Sequence, residues 1–184
     1  MTHMSVREPS SCSEWCAADG TRLVIRPIRP EDAAREQAFV QALSPVSRQL
    51  RFMDAVRELS PAQLERFTHP DPVREFALVA LRRRPGQPDE QVAVARFAVD
   101  ASGEGCEFAL AIADAWQRHG LGRHLMTRLI DAATARGLPV MWGQVLADNH
   151  AMLALARALG FAAEPLPGEP GVRRVILPLD TPAQ

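Results

Sequence analysis

The amino-acid sequence predicts a mixed α/β (α+β) fold, a single layer of sheet with helices packed on it. Three observations carry that expectation. Apolar runs of period two alternate along the chain with runs of helical period. The stretch "EFALAIADAWQRHGLGRHLM", Glu107 to Met126, passes from one period to the other through a polar, glycine-bearing turn. No internal repeat or domain-sized linker interrupts the series, and 184 residues are enough for one buried core.

The elements follow in order. Residues 1–12 are polar and are expected to be a mobile N-terminal segment, with residues 13–184 as a single domain. "EWCAADGTRLVIRPI" reads as two short strands around Asp19-Gly20, a common tight-turn pair. Alternation puts Leu23, Ile25 and Pro27 on one face and Val24, Arg26 and Ile28 on the other. In "RPEDAAREQAFVQAL", Pro30, Glu31 and Asp32 suit a helix start, and Ala34, Phe39 and Leu43 supply its apolar stripe. "SPVSRQLRFMDA" and "LSPAQLERFTH" read as two further short helices, the second capped by Ser60 ahead of Pro61. His69, before Pro70, is expected as a loop residue.

"EFALVAL" is strand-like, "RRRPGQPDE" a hairpin loop with an exposed tip, and "QVAVARFAV" the returning strand. "CEFALAIADAW" is the next strand, with Trp116 packing under the loop that follows. The helix "GRHLMTRLIDAATARG" is closed by Gly137. "PVMWGQVL" then gives a strand, "DNHAMLALARALGF" a helix and "RRVILPL" the last strand.

Composition narrows the function. Lys+Arg of 21 against Asp+Glu of 22 leaves a formal net charge of -1, which gives no support to a nucleic-acid binder. Every basic residue other than histidine is arginine, and tyrosine is absent as well, so mechanisms needing a lysine amine or a phenol are excluded. Cys12, Cys16 and Cys106 make neither a disulfide framework nor a zinc pattern, so a reducing, cytoplasmic setting without a metal is expected. No apolar run is long enough to cross a bilayer, and no membrane association is expected.

The turn "QRHGLG" carries the chemistry. In the strand before it, Phe108, Leu110 and Ile112 share one face. Glu107, Ala109, Ala111 and Ala113 share the other, a strip of methyl groups with a carboxylate at its far end. That strip either leaves room for an extended ligand or is filled by a packed helix. After the turn, the first amides of a helix are unpaired donors at the positive end of its dipole and attract phosphate. Gly120 and Gly122 let the backbone come close to such a group, and Arg118, His119 and Arg123 add positive potential. A glycine-rich helix start without a ligand fits the six residues equally well. Leu121, Leu125, Met126, Leu129, Ile130 and Ala133 recur at helical spacing and would dock the helix on the sheet. A Walker loop is excluded for want of lysine, and GxGxxG fails at Leu125.

These residues resemble the GNAT superfamily of N-acetyltransferases. "QRHGLG" fits its Q/R-x-x-G-x-G/A signature, and the order of elements from "VIRPIRPEDA" to "NHAMLALARALGF" is similar over about Gly20 to Leu179. More narrowly, "SRQLRF", "ADAWQRHGLG" and "NHAMLALARALGF" resemble the acetyltransferase domain of bacterial protein lysine acetyltransferases. The resemblance implies a central, mostly antiparallel twisted sheet flanked by helices. It also implies acetyl-CoA as co-substrate and an amine acceptor, either a protein lysine or a small molecule.

By the same resemblance, the pyrophosphate would sit on Gln117, Arg118, His119, Gly120, Leu121, Gly122 and Arg123. The pantetheine arm would pair with backbone at Ala111 and Ile112, the strand offering roughly 15–20 Å for it. Glu107 matches the strand glutamate that relatives use as general base, the alternative being an edge carboxylate paired with an arginine. Its burial beside alanine methyls would raise its pKa toward neutrality. Asn149 matches a residue that hydrogen-bonds the CoA arm, and equally suits a helix N-cap. Arg48 and Arg51 lie where relatives build the acceptor side; they either bind an acidic acceptor or solvate a helix face, and the second reading is preferred. Many relatives carry a tyrosine in the last helix to protonate the departing thiolate, where this chain has Ala156. That departure motivates a rival reading, a CoA-binding sensor without turnover.

Overall fold

The computed structural model describes residues 12–53 and 56–179. Residues 1–11, which hold nearly all of the segment expected to be mobile, lie outside the described residues. So do Asp54 and Ala55 at the end of "SPVSRQLRFMDA".

Eight strands among the described residues form one sheet. They are β1 (Ser13–Cys16), β2 (Arg22–Pro27), β3 (Glu75–Arg82), β4 (Glu90–Val99), β5 (Cys106–Ile112), β6 (Val140–Leu146), β7 (Ala162–Leu166) and β8 (Glu169–Pro178). Their order is β1-β2-β3-β4-β5-β6-β8-β7, and every neighbouring pair is antiparallel except β5–β6. Helices α1 (Ala33–Ala42), α2 (Pro45–Phe52) and α3 (Pro61–Thr68) come from the β2–β3 connection. Helices α4 (Leu121–Ala135) and α5 (His150–Ala158) flank β6 in sequence.

Strand alternation decides which core each side chain enters. Leu23, Ile25, Phe108, Leu110 and Ile112 pack with α4 and α5, whereas Ile28, Ala111 and Ala113 pack with Phe39, Val40 and Phe67 on the opposite face. Leu121, Leu125, Met126 and Leu129 are fully buried, each contributing about 1.5–3 kcal/mol of hydrophobic stabilisation. Gly137, at a φ of 70°, ends α4 as its position after the last turn requires. The Asp19-Gly20 turn joins β1 to β2, with the Asp19 carboxylate accepting from the Thr21 amide at 2.8 Å. Ser60 caps α3 in a capping box with Gln63.

Two expectations need correction. Ala34 is exposed, and the inward face of α1 and its lead-in turn carries Asp32 and Glu36 beside Phe39 and Val40. Those carboxylates are tolerated inside because each is paired. Asp32 takes both guanidinium nitrogens of Arg26 at 2.6 and 2.7 Å, and Glu36 accepts from Gln91 and faces Arg96 at 3.9 Å. The C-terminal strand is also one arm of a hairpin, since β7 pairs with β8 around Gly168, at a φ of 83°. β7 is an edge strand bearing Pro165, which an outermost strand tolerates.

The parallel β5–β6 contact positions the site. Its ladder holds only Cys106↔Met141 and Glu107↔Trp142. The next pair in register would be Phe108 and Gly143, and there a side chain on the glycine would meet the Phe108 ring at 2.7 Å. From Phe108 onward β5 has no ladder partner on its β6 side.

Candidate active site

The gap between β5 and β6 opens a cavity of about 630 Å³, walled by α2, β5, the loop before α4, β6 and the first turns of α5. Glu107 stands at one end of the β5 wall. The loop at Gln117–Arg123 stands at the other.

At the loop end, a 3₁₀ turn (Asp114–Trp116) leaves the strand, and Arg118 and Gly120 then take left-handed φ values of 62° and 86°. A non-glycine residue in that region is strained, so the loop is held by its surroundings. Gln117 does part of the holding, its Nε2 donating to the Ile112 carbonyl and to Ser47 Oγ, both at 3.1 Å. Asp114 accepts from Ser44 N at 3.0 Å, Ser44 Oγ at 2.7 Å and Ser47 Oγ at 2.8 Å. Partial burial pushes the Asp114 carboxyl up, but these Ser44 and Ser47 bonds outweigh it and leave the group below its ordinary value. The start of α2 is thereby pinned to the loop.

The first amide of this region to find a backbone acceptor is that of His124, which donates to Gly120 at 3.1 Å. Among the described residues, none of the amides of residues 118–123 donates to protein. They form a cluster of unpaired donors at the positive end of a fifteen-residue helix, with Arg118, His119 and Arg123 exposed around them. The two glycines differ. A side chain at Gly120 would project into open space, where a bound group would have to sit. One at Gly122 would press on Ile112 Cδ1 at 3.1 Å and Leu155 Cδ2 at 3.2 Å, so this glycine lets α4 approach β5 and α5. That is a packing reason, different from the close approach to a ligand expected of it.

At the other end, the Glu107 carboxylate reaches solvent through the cavity. Partial desolvation pushes its pKa above the ordinary carboxylate value, and the positive charge of Arg51 opposes that rise. The direction is the expected one, but Glu107 is exposed and not buried beside the alanine methyls as the sequence suggested. Ala111 is packed and largely covered, while Ala109 beside Glu107 is only half-buried. The packed-helix reading of the strip thus holds at Ala111 and Ala113, while Ala109 and Ala111 also line the cavity. Cys106, directly before Glu107, is fully buried and its thiol is pushed up to about 12, so it stays protonated and inert.

Asn149 lies on the cavity wall and is also the N-cap of α5, its Oδ1 accepting from Met152 N at 3.1 Å. Ala156 is buried in the core and lies off the cavity wall, so its position offers no group to a leaving thiolate. His69 terminates α3 and Trp116 packs against the core, as expected of each. Arg48 and Arg51 part company. Arg48 donates to the carbonyls of Gln41 and Leu43, closing the end of α1, whereas Arg51 turns into the cavity and corrects the reading of a solvated helix face. The Asp114–Ser44–Ser47 latch escaped the sequence reading, although Ser44 before Pro45 repeats the Ser-Pro cap seen at Ser60-Pro61.

Among the described residues, no group of three His, Cys, Asp or Glu side chains is gathered as a metal site requires. Among the described residues, no helix is long and apolar enough to cross a membrane.

A split sheet, a donor-rich helix start and a carboxylate along one strand define an acyl-CoA-dependent transferase. The model of the acetyltransferase (GNAT) family matches residues 45–161, from α2 through α5. The acetyltransferase PA5475 of Pseudomonas aeruginosa is 40% identical over 146 residues, 79% of this chain and 78% of that protein. The [ribosomal protein bS18]-alanine N-acetyltransferase of Escherichia coli is 44% identical over 54 residues, 29% of this chain and 36% of that enzyme. Among solved structures, the GNAT domain of S. lividans PAT superposes with a TM-score of 0.80 at 28% identity, covering 91% of this chain and 97% of that one. The chain belongs to the acetyltransferase (GNAT) family and is an acetyl-CoA-dependent N-acetyltransferase.

Proposed function

We propose that this enzyme moves the acetyl group of acetyl-CoA directly onto the ε-amine of a protein lysine. The observation that carries the reading is the arrangement of the cavity, with unpaired amides at one end of a free strand edge and Glu107 at the other. The diphosphate sits on the amides of residues 118–123, with the side chains of Arg118, His119 and Arg123 beside it and Gln117 bracing the loop. The pantetheine arm runs along β5 past Ala111 and Ile112, and Asn149 faces it from α5. The thioester then lies near Glu107.

Glu107 takes a proton from the incoming ammonium, directly or through a water. The freed nitrogen attacks the thioester carbonyl, and the tetrahedral intermediate collapses by breaking the C–S bond. No covalent acyl-enzyme is formed, since Cys106 is buried and protonated. The CoA thiolate takes its proton from water in the cavity, the chain having no phenol. The resemblance of "SRQLRF" and "NHAMLALARALGF" to bacterial protein lysine acetyltransferases supports a protein acceptor. The exposed, free thiols Cys12 and Cys16 support a reducing, cytoplasmic setting.

The test compares acetyl-CoA consumption with unacetylated proteins and with a panel of small amines, in the parent enzyme and in Glu107→Gln. Faster turnover with proteins, lost in the variant, is the expected result. Turnover confined to small amines would reassign the acceptor. Tight acetyl-CoA binding with no transfer to any acceptor would return the sensor reading.

A further inference from the structure

The acceptor end of the cavity contains a cation with no protein partner. Arg51 makes no hydrogen bond and no ion pair among the described residues. Its one close contact is with its neighbour Phe52, whose ring centroid lies 4.8 Å from the guanidinium carbon. That contact occupies a face of the planar group and leaves its N–H edges unused. The nearby acids do not serve it. Glu36 already accepts from Gln91 and faces Arg96 at 3.9 Å, and Glu107 lies beyond ion-pair distance. Arg96 itself points to the Phe67 carbonyl at 3.1 Å and keeps a buried Nε without a partner, so this corner already carries a second guanidinium.

Position along the cavity separates Arg51 from the diphosphate seat. Ser47 touches Gln117 at the loop end, and Arg51 follows four residues later, one helical turn or about 6 Å further along α2. α2 packs against β5, whose far end carries Glu107, and Arg51 and Glu107 line the same cavity. Ile112, where the loop begins, is roughly 15–17 Å of extended strand away from Glu107. An anion held by Arg51 is assigned to the acceptor, whose amine meets Glu107 in the same cavity.

We propose that Arg51 anchors a carboxylate carried by the acceptor, so that preferred acceptors present an amine to Glu107 and an acid group to Arg51 together. The inference rests on the assignment of Glu107 to the acceptor amine. A guanidinium on α2 and a carboxylate on β5, lining one cavity, match an acceptor that carries both signs. The carboxylate comes either from an acidic residue beside the target lysine or from a free amino acid, and the guanidinium fork takes both in the same bidentate geometry. Desolvation lowers the guanidinium pKa to about 10, which leaves it charged at neutral pH.

The experiment uses matched acceptors differing only in acid against amide. One arm is N-acetyl dipeptide amides, Glu-Lys-NH2 against Gln-Lys-NH2, whose C-terminal carboxylate is blocked in both. The other is free ω-amino acids of graded length against their carboxamides. Values of kcat/KM are measured for the parent, Arg51→Gln and Arg51→Lys. The expected result is a preference of about tenfold or more for the acid member in at least one arm. It should be expressed mainly in KM, abolished in Arg51→Gln and partly restored in Arg51→Lys. The arm that shows it names the source. Equal rates for acid and amide in both arms, or a preference that survives in Arg51→Gln, overturn the proposal. If acetyl-CoA binds but no amine is acetylated, the Glu107 assignment fails. The same pairs titrated calorimetrically into the CoA-loaded protein then decide Arg51 on their own, equal affinities overturning it.

Discussion

Glu107 is a half-solvated carboxylate whose ordinary pKa is altered by two opposed causes. Desolvation raises it, and the Arg51 charge pulls it back. A general base works in its deprotonated form, so the rate should climb as pH rises through a pKa above the usual carboxylate range and level off beyond it. Removing Arg51 removes the opposing charge, and the climb in Arg51→Gln should move to higher pH, as rate profiles of the two proteins would show. Glu107→Gln should lower kcat by about 10²–10⁴ and leave calorimetric affinity for CoA nearly unchanged. A flat pH profile in the parent, or full turnover in the glutamine variant, would remove Glu107 from the chemistry.

The start of α4 does two jobs with two glycines. Gly120 opens onto the amide cluster at a φ of 86°, so Gly120→Val should both strain the loop and block the seat, with severe loss of CoA affinity. Gly122 faces Ile112 and Leu155, so Gly122→Ala should lower stability by about 1 kcal/mol while CoA binding falls far less. Melting curves and CoA titrations of both variants separate the roles. The sequence exposed this element well, because its signals are local: a helical stripe from Leu121 to Ala133, a closing Gly137 and the loop glycines. It hid other elements for physical reasons. The inward face of α1 is carried by Asp32 and Glu36, whose partners Arg26, Gln91 and Arg96 are assembled only by the fold. The exposed edge strand β7 has no apolar alternation to reveal it. Arg51 reads as a surface charge on a short amphipathic helix, and only the gap between β5 and β6 turns it inward.

At the scale of the whole molecule, Asp32 ties β2, through Arg26, to the start of α1, through Arg35. Burial alone pushes its carboxyl up, but two hydrogen bonds from Arg26, the Arg29 amide and Arg35 outweigh that and hold it below the ordinary value. A depressed folded-state pKa stabilises the protein above the unfolded pKa, and that contribution is lost as pH falls through the folded value. Asp32→Ala should cost about 3–5 kcal/mol at neutral pH by stranding Arg26, and the gap to the parent in urea melts should narrow in acid. The proposed seating of the CoA diphosphate on the amides of residues 118–123 is tested most directly by calorimetric titration of CoA and acetyl-CoA into the parent and Gly120→Val. The account predicts saturable one-to-one binding of both ligands to the parent and its loss in the variant. No heat from either ligand, or equal affinity in the two proteins, would contradict it.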